Sequence, residues 1–278
     1  MKLISSRKYG FNVFNHPPEE FFEYASQYNL NHIEINLTQS HSSIESFSLE
    51  RIENLRRLSE RHDVSLSIHL PFKVNISDII KVIRNDNLIY LKKCINFAQK
   101  IDATHITIHI GNFYWFPVET FMRKKALDRF IKNLKEVLEL SNQQNVTLAL
   151  ENVVPLPHGS DYFLLGDNIS DFDYIFGTVQ CENLKFCLDT GHANIGEGVL
   201  EYLKNFSQYL ISVHYHDNFG KNDDHLPIGE GNIAWADVAK ELNKLNYCGP
   251  LISECRNTEA HKTAELFESF FNGIEQKI

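Results

Sequence analysis

The stretch LDRFIKNLKEVLELSNQQNVTLALENV, residues 127–153, joins the two kinds of segment that recur along the whole chain. Its first part carries apolar residues three and four positions apart, from Leu127 to Leu138, which is the spacing of an amphipathic helix. Its last part, VTLALENV, is a short apolar run typical of a buried strand. Strands that alternate with covering helices indicate an α/β fold.

Eight strand candidates of this kind occur along the chain, and longer amphipathic segments separate them. They are residues 9–13, 32–37, 64–70, 104–110, 146–153, 184–190, 210–216 and 249–255. No Gly/Ser-rich linker interrupts the series. Eight β/α units in a row predict a (β/α)8 TIM barrel that forms a single domain over residues 1–278. A doubly wound open sheet is the alternative, but the sequence lacks the glycine fingerprint that usually follows an early strand of that fold.

The composition is that of a globular protein with a large core and no membrane segment. Hydrophobic residues make up 43% of the chain, and the formal net charge is −9, which makes the whole chain a poor partner for nucleic acid phosphates. A local basic groove is compatible with that charge. Five scattered cysteines without a CxxC pair argue against disulfides and against a thiolate zinc site. The N-terminal segment lacks a signal-peptide core, so we expect a cytoplasmic protein. A homo-oligomer is compatible with the sequence.

Imidazole and carboxylate side chains stand at the ends of six consecutive predicted strands. The C-terminal ends of barrel strands converge on one face, where active sites are built. These residues are His69, His109, Glu151, Asp189 with His192 just beyond it, His214 and Glu254, and the loop after the seventh strand adds Asp223 and His225. A lone histidine at a strand end is more often a hydrogen-bonded core residue, so the joint pattern carries the prediction of a metal site. This donor set suits Zn²⁺ or Mn²⁺ best, then Co²⁺ or Fe²⁺, and Mg²⁺ less well.

Strand alternation separates two further candidates for substrate binding. His216 shares the barrel-facing side with His214 but lies one step further out, which predicts a position on the rim or behind the ligands. Arg256 lies two residues past Glu254, on the same side, and could bind an oxyanion or a phosphate. An ion pair with an acidic residue is the alternative for Arg256.

Other polar residues near the strand ends have simpler interpretations. Glu34, in HIEIN of the second strand, is interpreted mainly as a surface or salt-bridge residue, with a contact to substrate as the alternative. Asp217 and Asn218 either orient the loop or His214, or form a plain turn.

Six segments, taken in order, resemble the xylose-isomerase-like TIM-barrel superfamily. They are SIHLPFKVNIS, LALEN, CLDTGH, VHYHDN, DDHLPIGEGN and ISECR. That superfamily groups sugar and sugar-phosphate isomerases and epimerases with nucleases of the endonuclease IV type. The resemblance runs from the third strand to the eighth, and the first 60 residues add only a compatible β/α start.

The resemblance implies a ligand set and a chemistry. In members with one catalytic metal, the ligands would be Glu151, Asp189, His214 and Glu254. Glu151 and Glu254 would also transfer the proton next to a carbonyl, through a metal-stabilised enediolate, while His192 and His225 would bind substrate hydroxyls. In the nuclease branch three zinc ions use nine ligands, which match His69, His109, Glu151, Asp189, His192, His214, Asp223, His225 and Glu254. One site is therefore expected, and up to three are possible.

A metal-dependent isomerase or epimerase of a small sugar or sugar phosphate is the favoured function. The first alternative is an endonuclease IV-type, zinc-dependent apurinic-site phosphodiesterase. Against it, the segment TQSHSSIES, residues 38–46, lacks the arginine and aromatic residues with which such nucleases penetrate DNA. The second alternative is a sugar- or metal-binding barrel without turnover, which the presence of both glutamates disfavours. Phe113 and Trp115 are interpreted as loop-packing residues, with stacking on a sugar ring as the alternative.

Overall fold

The computed structural model describes residues 7–114, 120–157, 160 and 162–273. Within these ranges the strands are β1 (Lys8–Val13), β2 (His32–Asn36), β3 (Ser65–His69), β4 (Ile106–His109), β5 (Gly111–Tyr114), β6 (Leu148–Glu151), β7 (Tyr162–Leu165), β8 (Leu184–Asp189), β9 (Leu210–Tyr215) and β10 (Pro250–Ser253). The α-helices are α1 (Phe22–Gln27), α2 (Leu49–His62), α3 (Lys81–Lys100), α4 (Thr120–Gln144), α5 (Ile169–Thr178), α6 (Thr190–Ile195), α7 (Val199–Phe206), α8 (Trp235–Lys244) and α9 (Ala260–Phe271). None of the described helices is long and apolar enough to cross a membrane.

Eight of the strands form one closed parallel barrel, in the order β1-β10-β9-β8-β6-β4-β3-β2. The barrel closes at β1, where Phe11 pairs with Ser253 of the last strand on one side and with Ile33 of the second strand on the other. The predicted (β/α)8 barrel is confirmed, and the open-sheet alternative is wrong.

A small antiparallel sheet, formed by β5 and β7, is the main departure from the predicted architecture. In the chain, β5 follows barrel strand β4, and β7 follows barrel strand β6. These two barrel strands end at His109 and Glu151, a little before the predicted ends of the fourth and fifth strands. The turn into β5 requires glycine because Gly111 has a φ of 129°, in the region that side chains disfavour. A Cβ atom there would also overlap the side chains of Asn75 and Ser77.

Several barrel strands turn their apolar residues outward and their polar residues inward. In β2, Ile33 and Ile35 belong to the hydrophobic core, whereas Glu34 accepts hydrogen bonds inside the barrel from Thr107 (3.0 Å) and Ser67 (3.3 Å). Helices cover the outside of a barrel, so that side must be apolar. The same alternation in strands β3, β4 and β9 makes the barrel interior polar.

Two buried histidines lie in this polar interior. His32 lies 2.8 Å from the hydroxyls of both Ser65 and Ser67, and its ring stacks against that of His105 at a centroid distance of 6.1 Å. Burial lowers the pKa of His32 to about 3 and that of His105 to about 4. Both rings are therefore neutral at physiological pH.

Asp217 fixes the loop that follows β9. Its buried carboxylate accepts hydrogen bonds from the backbone N–H groups of Asn218 (2.9 Å), Gly229 (2.9 Å) and Ile233 (3.2 Å), and from the indole of Trp235 (2.8 Å). One side chain thus ties both ends of this loop to the barrel. The prediction that Asp217 orients the loop is confirmed by these contacts.

We expect D217N to lower the free energy of unfolding by at least about 2 kcal/mol, because an amide cannot accept all of the hydrogen bonds that the carboxylate accepts. Urea unfolding of the variant and the wild type measures the difference. D224N is the matched control, since Asp224 is exposed in the same loop. Equal losses in the two variants would contradict the role given to Asp217.

We expect H105Q to reduce the acid sensitivity of the fold. The folded pKa of His105, about 4, lies below its ordinary value of 6.5, so the unfolded chain takes up this proton first. The stability that neutral His105 contributes is complete above pH 6.5 and is lost as the pH falls towards 4. Between pH 7 and 5 the wild type should therefore lose up to about 2 kcal/mol more than H105Q.

Urea unfolding at both pH values tests this prediction. H16Q is the control because the side chain of His16 is 62% exposed. The prediction fails if wild type and H105Q lose the same free energy between the two pH values.

Candidate active site

A cavity of about 1010 Å³ opens at the C-terminal ends of the barrel strands. This volume lies at the upper end of the range for small-molecule sites. Seven of the predicted site residues line it, namely His69, His109, Glu151, His192, His225, Glu254 and Arg256. Phe14, Phe72 and Lys73 also line it and are exposed. Trp115 lies outside the described residues, as does the side chain of Phe113.

Glu151, at the end of β6, lies at the centre of a group of imidazoles. Its Oε2 atom is 2.9 Å from Nε2 of His109 and 3.2 Å from Nε2 of His69, and its Oε1 atom is 2.8 Å from Nδ1 of His214. Burial alone would raise the pKa of Glu151, but His214, His69 and His109 hold it well below the usual value. Burial would likewise lower the pKa of His69, but Glu151 raises it to about 9. Glu151 is therefore an ionised carboxylate.

Glu254 reaches the same histidine from the other side. It follows β10, and its Oε1 atom lies 3.5 Å from Nδ1 of His214 and accepts a hydrogen bond of 3.1 Å from the amide of Asn12. Its side chain is 14% exposed, against 1% for Glu151. Two carboxylates from separate strands thus converge on one nitrogen atom beside the cavity.

Asp189 belongs to a second group. It ends β8 and caps α6 by accepting a hydrogen bond of 2.7 Å from the backbone of His192, and its two oxygens lie 3.1 and 3.2 Å from Nε2 of His216. Burial opposes ionisation of Asp189, but His192 and His216 hold its pKa below the usual value. Burial also opposes protonation of His192, but Asp189 raises its pKa to about 10. The four ligands implied by the resemblance are thus divided between two groups.

Of the two positions expected for His216, the rim is not the one observed, because its ring lies behind Asp189. It is completely buried, and its ring stacks on that of His225 at 3.9 Å. Gly191 makes this position possible, because a Cβ atom at Gly191 would overlap the imidazole of His216. The described residues that line the cavity do not include His216. It is therefore placed to support Asp189 or to bind a cation, rather than to meet a substrate directly.

Asp223 and His225 complete the arrangement from the loop after β9. Asp223 Oδ2 lies 3.1 Å from Nε2 of His225 and 3.6 Å from Nε2 of His192. His225 in turn donates a hydrogen bond from Nδ1 to the carbonyl of Glu254 (2.9 Å). These contacts connect the loop to both of the groups described above.

The donor atoms fit a divalent cation. Within the described part of the chain, five groups of three or four ligand-type residues each place their donor atoms within 4.8 Å of one another. These groups are Glu34, His69, His214 and Glu254; His69, His109 and Glu151; Glu151, Cys187 and His214; Asp189, His192 and His216; and His216, Asp223 and His225. Among the described residues, Glu151 Oε2 and Asp223 Oδ1 are buried without a hydrogen-bond partner, although imidazole nitrogens lie close to both. Carboxylate oxygens in that condition are suited to a cation.

Glu34 is the residue that the sequence interpretation places least well. It is completely buried, so its assignment to the surface is wrong, while an ionic contact does exist: its Oε2 atom lies 3.1 Å from Nε2 of His214. The N–H of His214 is not aligned with this oxygen for a hydrogen bond, so the contact is mainly electrostatic. Burial would raise the pKa of Glu34, but His214 keeps it below the usual value.

The sequence analysis did not single out two other residues of the site. Asn12 connects Glu34 and Glu254, and the thiol of Cys187 lies within the group of Glu151 and His214. Burial raises the pKa of Cys187 to about 12, so it remains a neutral thiol. The position of Cys187, two residues before a strand-end aspartate, is the signal that could have placed it inside the barrel.

Arg256 lies at the cavity, where it was expected. Its side chain is exposed and lines the opening. Within the described ranges, no carboxylate lies at ion-pair distance from it, so the alternative of an ion pair is not seen.

Comparisons with known proteins agree with this arrangement. The family model of the xylose isomerase-like TIM barrel matches residues 22–271. An uncharacterized protein of Methanocaldococcus jannaschii, MJ1311, is 27% identical over the whole of this chain and 94% of its own length. A probable endonuclease 4 of Ureaplasma parvum is 27% identical over 70% of this chain and 66% of its own. The L-ribulose-5-phosphate 3-epimerase UlaE of Escherichia coli is 26% identical over 72% of this chain and 66% of its own.

The solved structures that resemble this one include sugar epimerases. A D-tagatose 3-epimerase-like protein has a TM-score of 0.82 and 26% identity, with 97% of this chain and 99% of the other covered. D-psicose 3-epimerase of Clostridium cellulolyticum H10 has a TM-score of 0.77, with 96% of this chain and 99% of the other covered, and its 16% identity shows a shared fold only. Because the family model covers nearly the whole described barrel, this chain belongs to the xylose isomerase-like TIM-barrel family.

Proposed function

We propose that this protein is a metal-dependent isomerase or epimerase that acts on a sugar or a sugar phosphate. The observation that carries the proposal is the convergence of Glu151 and Glu254 on Nδ1 of His214, at 2.8 and 3.5 Å. Both carboxylates also line the large cavity. Relatives named as sugar epimerases support the same reaction class.

The two glutamates suit proton transfer at a carbon next to a carbonyl. They enter from strands β6 and β10, which β8 and β9 separate in the barrel, so a substrate between them meets one on each side. The ionised carboxylate of Glu151 can accept the proton from the substrate carbon. Glu254, once it carries a proton, can deliver it to the opposite face of that carbon, which inverts the configuration.

Glu151, His214 and Glu254 would hold the catalytic cation, while Asp189, the fourth ligand implied by the resemblance, lies in the second group beside His192 and His216. A bound divalent ion would supply the positive charge that stabilises the substrate oxygen as the proton leaves the neighbouring carbon. The donor set of imidazoles and carboxylates favours Zn²⁺ or Mn²⁺.

Three residues on the cavity wall are suited to bind the rest of the substrate. His192 and His225 can form hydrogen bonds with hydroxyl groups, and the exposed guanidinium of Arg256 can bind a phosphate or another anionic group. The cavity therefore accommodates either a free sugar or a phosphorylated one.

A zinc-dependent apurinic-site phosphodiesterase is the second candidate. In its favour, the structure gathers all nine residues that match the ligands of a three-zinc centre into adjacent groups. One relative is named a probable endonuclease 4. Against it stand the net charge of −9 and the segment 38–46, which contains no arginine or aromatic residue.

Elemental analysis of protein purified without chelator should find about one zinc or manganese ion per chain if the sugar reaction is correct. Removal of the ion with a chelator should lower the melting temperature, because the cation binds the folded state. About three zinc ions per chain, together with cleavage of abasic DNA, would instead establish the nuclease function.

We expect E151Q and E254Q each to lower turnover by about 10² to 10⁴-fold, since each removes one group for proton transfer, and also to weaken metal binding. A panel of ketoses and ketose phosphates in D₂O, followed by ¹H NMR, measures both epimerisation and deuterium incorporation at the reacting carbon. E259Q is the control because Glu259 is exposed and lies five residues beyond Glu254. Full activity and full metal content in either site variant would show that the glutamates have been assigned wrongly.

A further inference from the structure

The two imidazole nitrogens of His214 face different carboxylates. Its Nδ1 atom faces Glu151 and Glu254, which line the cavity. Its Nε2 atom faces away from that pair, 3.1 Å from Oε2 of Glu34. The ring is completely buried, so both nitrogens depend on these carboxylates.

We propose that Glu34 is a positioning residue that keeps the proton of His214 on Nε2 and thereby presents Nδ1 to a divalent cation beside Glu151 and Glu254. The inference rests on the proposed function, since it concerns the cation of that site. A metal-binding histidine commonly has a carboxylate behind its other nitrogen, which fixes the tautomer and the orientation of the ring.

Glu34 is itself held rigidly. Its Oε1 atom accepts hydrogen bonds from Thr107 (3.0 Å) and Ser67 (3.3 Å), and its Oε2 atom accepts one of 2.8 Å from the amide of Asn12. Three other strands therefore fix the carboxylate. A group held from so many sides defines the position of its neighbour instead of following it.

A direct role for Glu34 in substrate binding does not fit its location. The side chain is completely buried, and the described residues that line the cavity do not include it. His214 lies between Glu34 and the two glutamates of the cavity. Glu34 can therefore reach the reaction only through His214, through Asn12 or through a cation bound in its group with His69, His214 and Glu254.

Asn12 extends the effect of Glu34 to Glu254. The same amide nitrogen of Asn12 donates to Glu34 (2.8 Å) and to Oε1 of Glu254 (3.1 Å). Glu34 thus supports two of the proposed ligands, His214 by a charge contact and Glu254 through an intervening amide.

The test compares E34Q with wild type in binding of Zn²⁺ alone, measured by competition with a chromogenic chelator at pH 7.5. We expect E34Q to bind Zn²⁺ about 10- to 100-fold more weakly. E268Q is the matched control: Glu268 is also a buried glutamate, hydrogen bonded to Tyr9 (2.8 Å), but on α9 outside the barrel. E268Q should bind Zn²⁺ as the wild type does.

Long-range ¹H–¹⁵N NMR of the Zn²⁺-loaded wild type gives a second readout that needs no variant. We expect His214 to carry its proton on Nε2 and to coordinate through Nδ1. A metal bound at Nε2 would overturn the inference, and so would unchanged Zn²⁺ affinity in a folded E34Q. If E34Q does not fold, the wild-type spectrum alone decides.

The outcomes separate this inference from the proposed function. If the wild type binds no divalent ion, both the role of Glu34 and the proposed function are wrong. If the wild type binds Zn²⁺ and E34Q binds it equally well, only the role of Glu34 is wrong. If E34Q binds Zn²⁺ weakly but the wild type epimerises no sugar in the panel, the role of Glu34 is supported and the proposed reaction is wrong.

Discussion

The structure depends on one constraint, the need to neutralise carboxylates that are sealed inside a barrel. The covering helices require apolar residues on the outer face of the strands, and in β2, β3, β4 and β9 the residues that point to the axis are polar. There Glu34 and Glu151 lie on opposite sides of His214, at 3.1 and 2.8 Å. Without positive charge between them, two buried carboxylates would be costly. The arrangement is therefore at once a solution to a folding problem and a site that attracts a cation.

Much of this architecture could be predicted from the sequence because its signals are periodic. Eight strand-helix units predict the barrel, and the strand-end residues follow from it. The small sheet of β5 and β7 could not be predicted, because two strands of four residues outside the barrel leave no periodic signal. The site was predicted less completely, since the groups in which the residues meet depend on side-chain directions.

Glu34 and His216 show why polarity alone misleads in this fold. An alternating pattern such as HIEIN usually indicates a strand with one solvated face, which suggests that Glu34 lies on the surface. In a barrel, the covered outer face reverses that inference. For His216 the rim was one of two expected positions, because it lies one step beyond His214, but the missing side chain of Gly191 allows its ring to turn inward, behind Asp189. Both outcomes depend on local geometry that one strand does not reveal.

The closure of the barrel between β1 and β10 also has a consequence for synthesis. The last strand supplies the pairing partner of β1 and leads directly to Glu254, which Asn12 of β1 then contacts. On the ribosome, a nascent chain holds β1 with one unpaired edge until β10 has emerged. Unpaired strand edges invite association with other chains. Premature arrest before Pro250 would therefore leave an incomplete cylinder that is both unable to assemble its full set of donor groups and prone to aggregate.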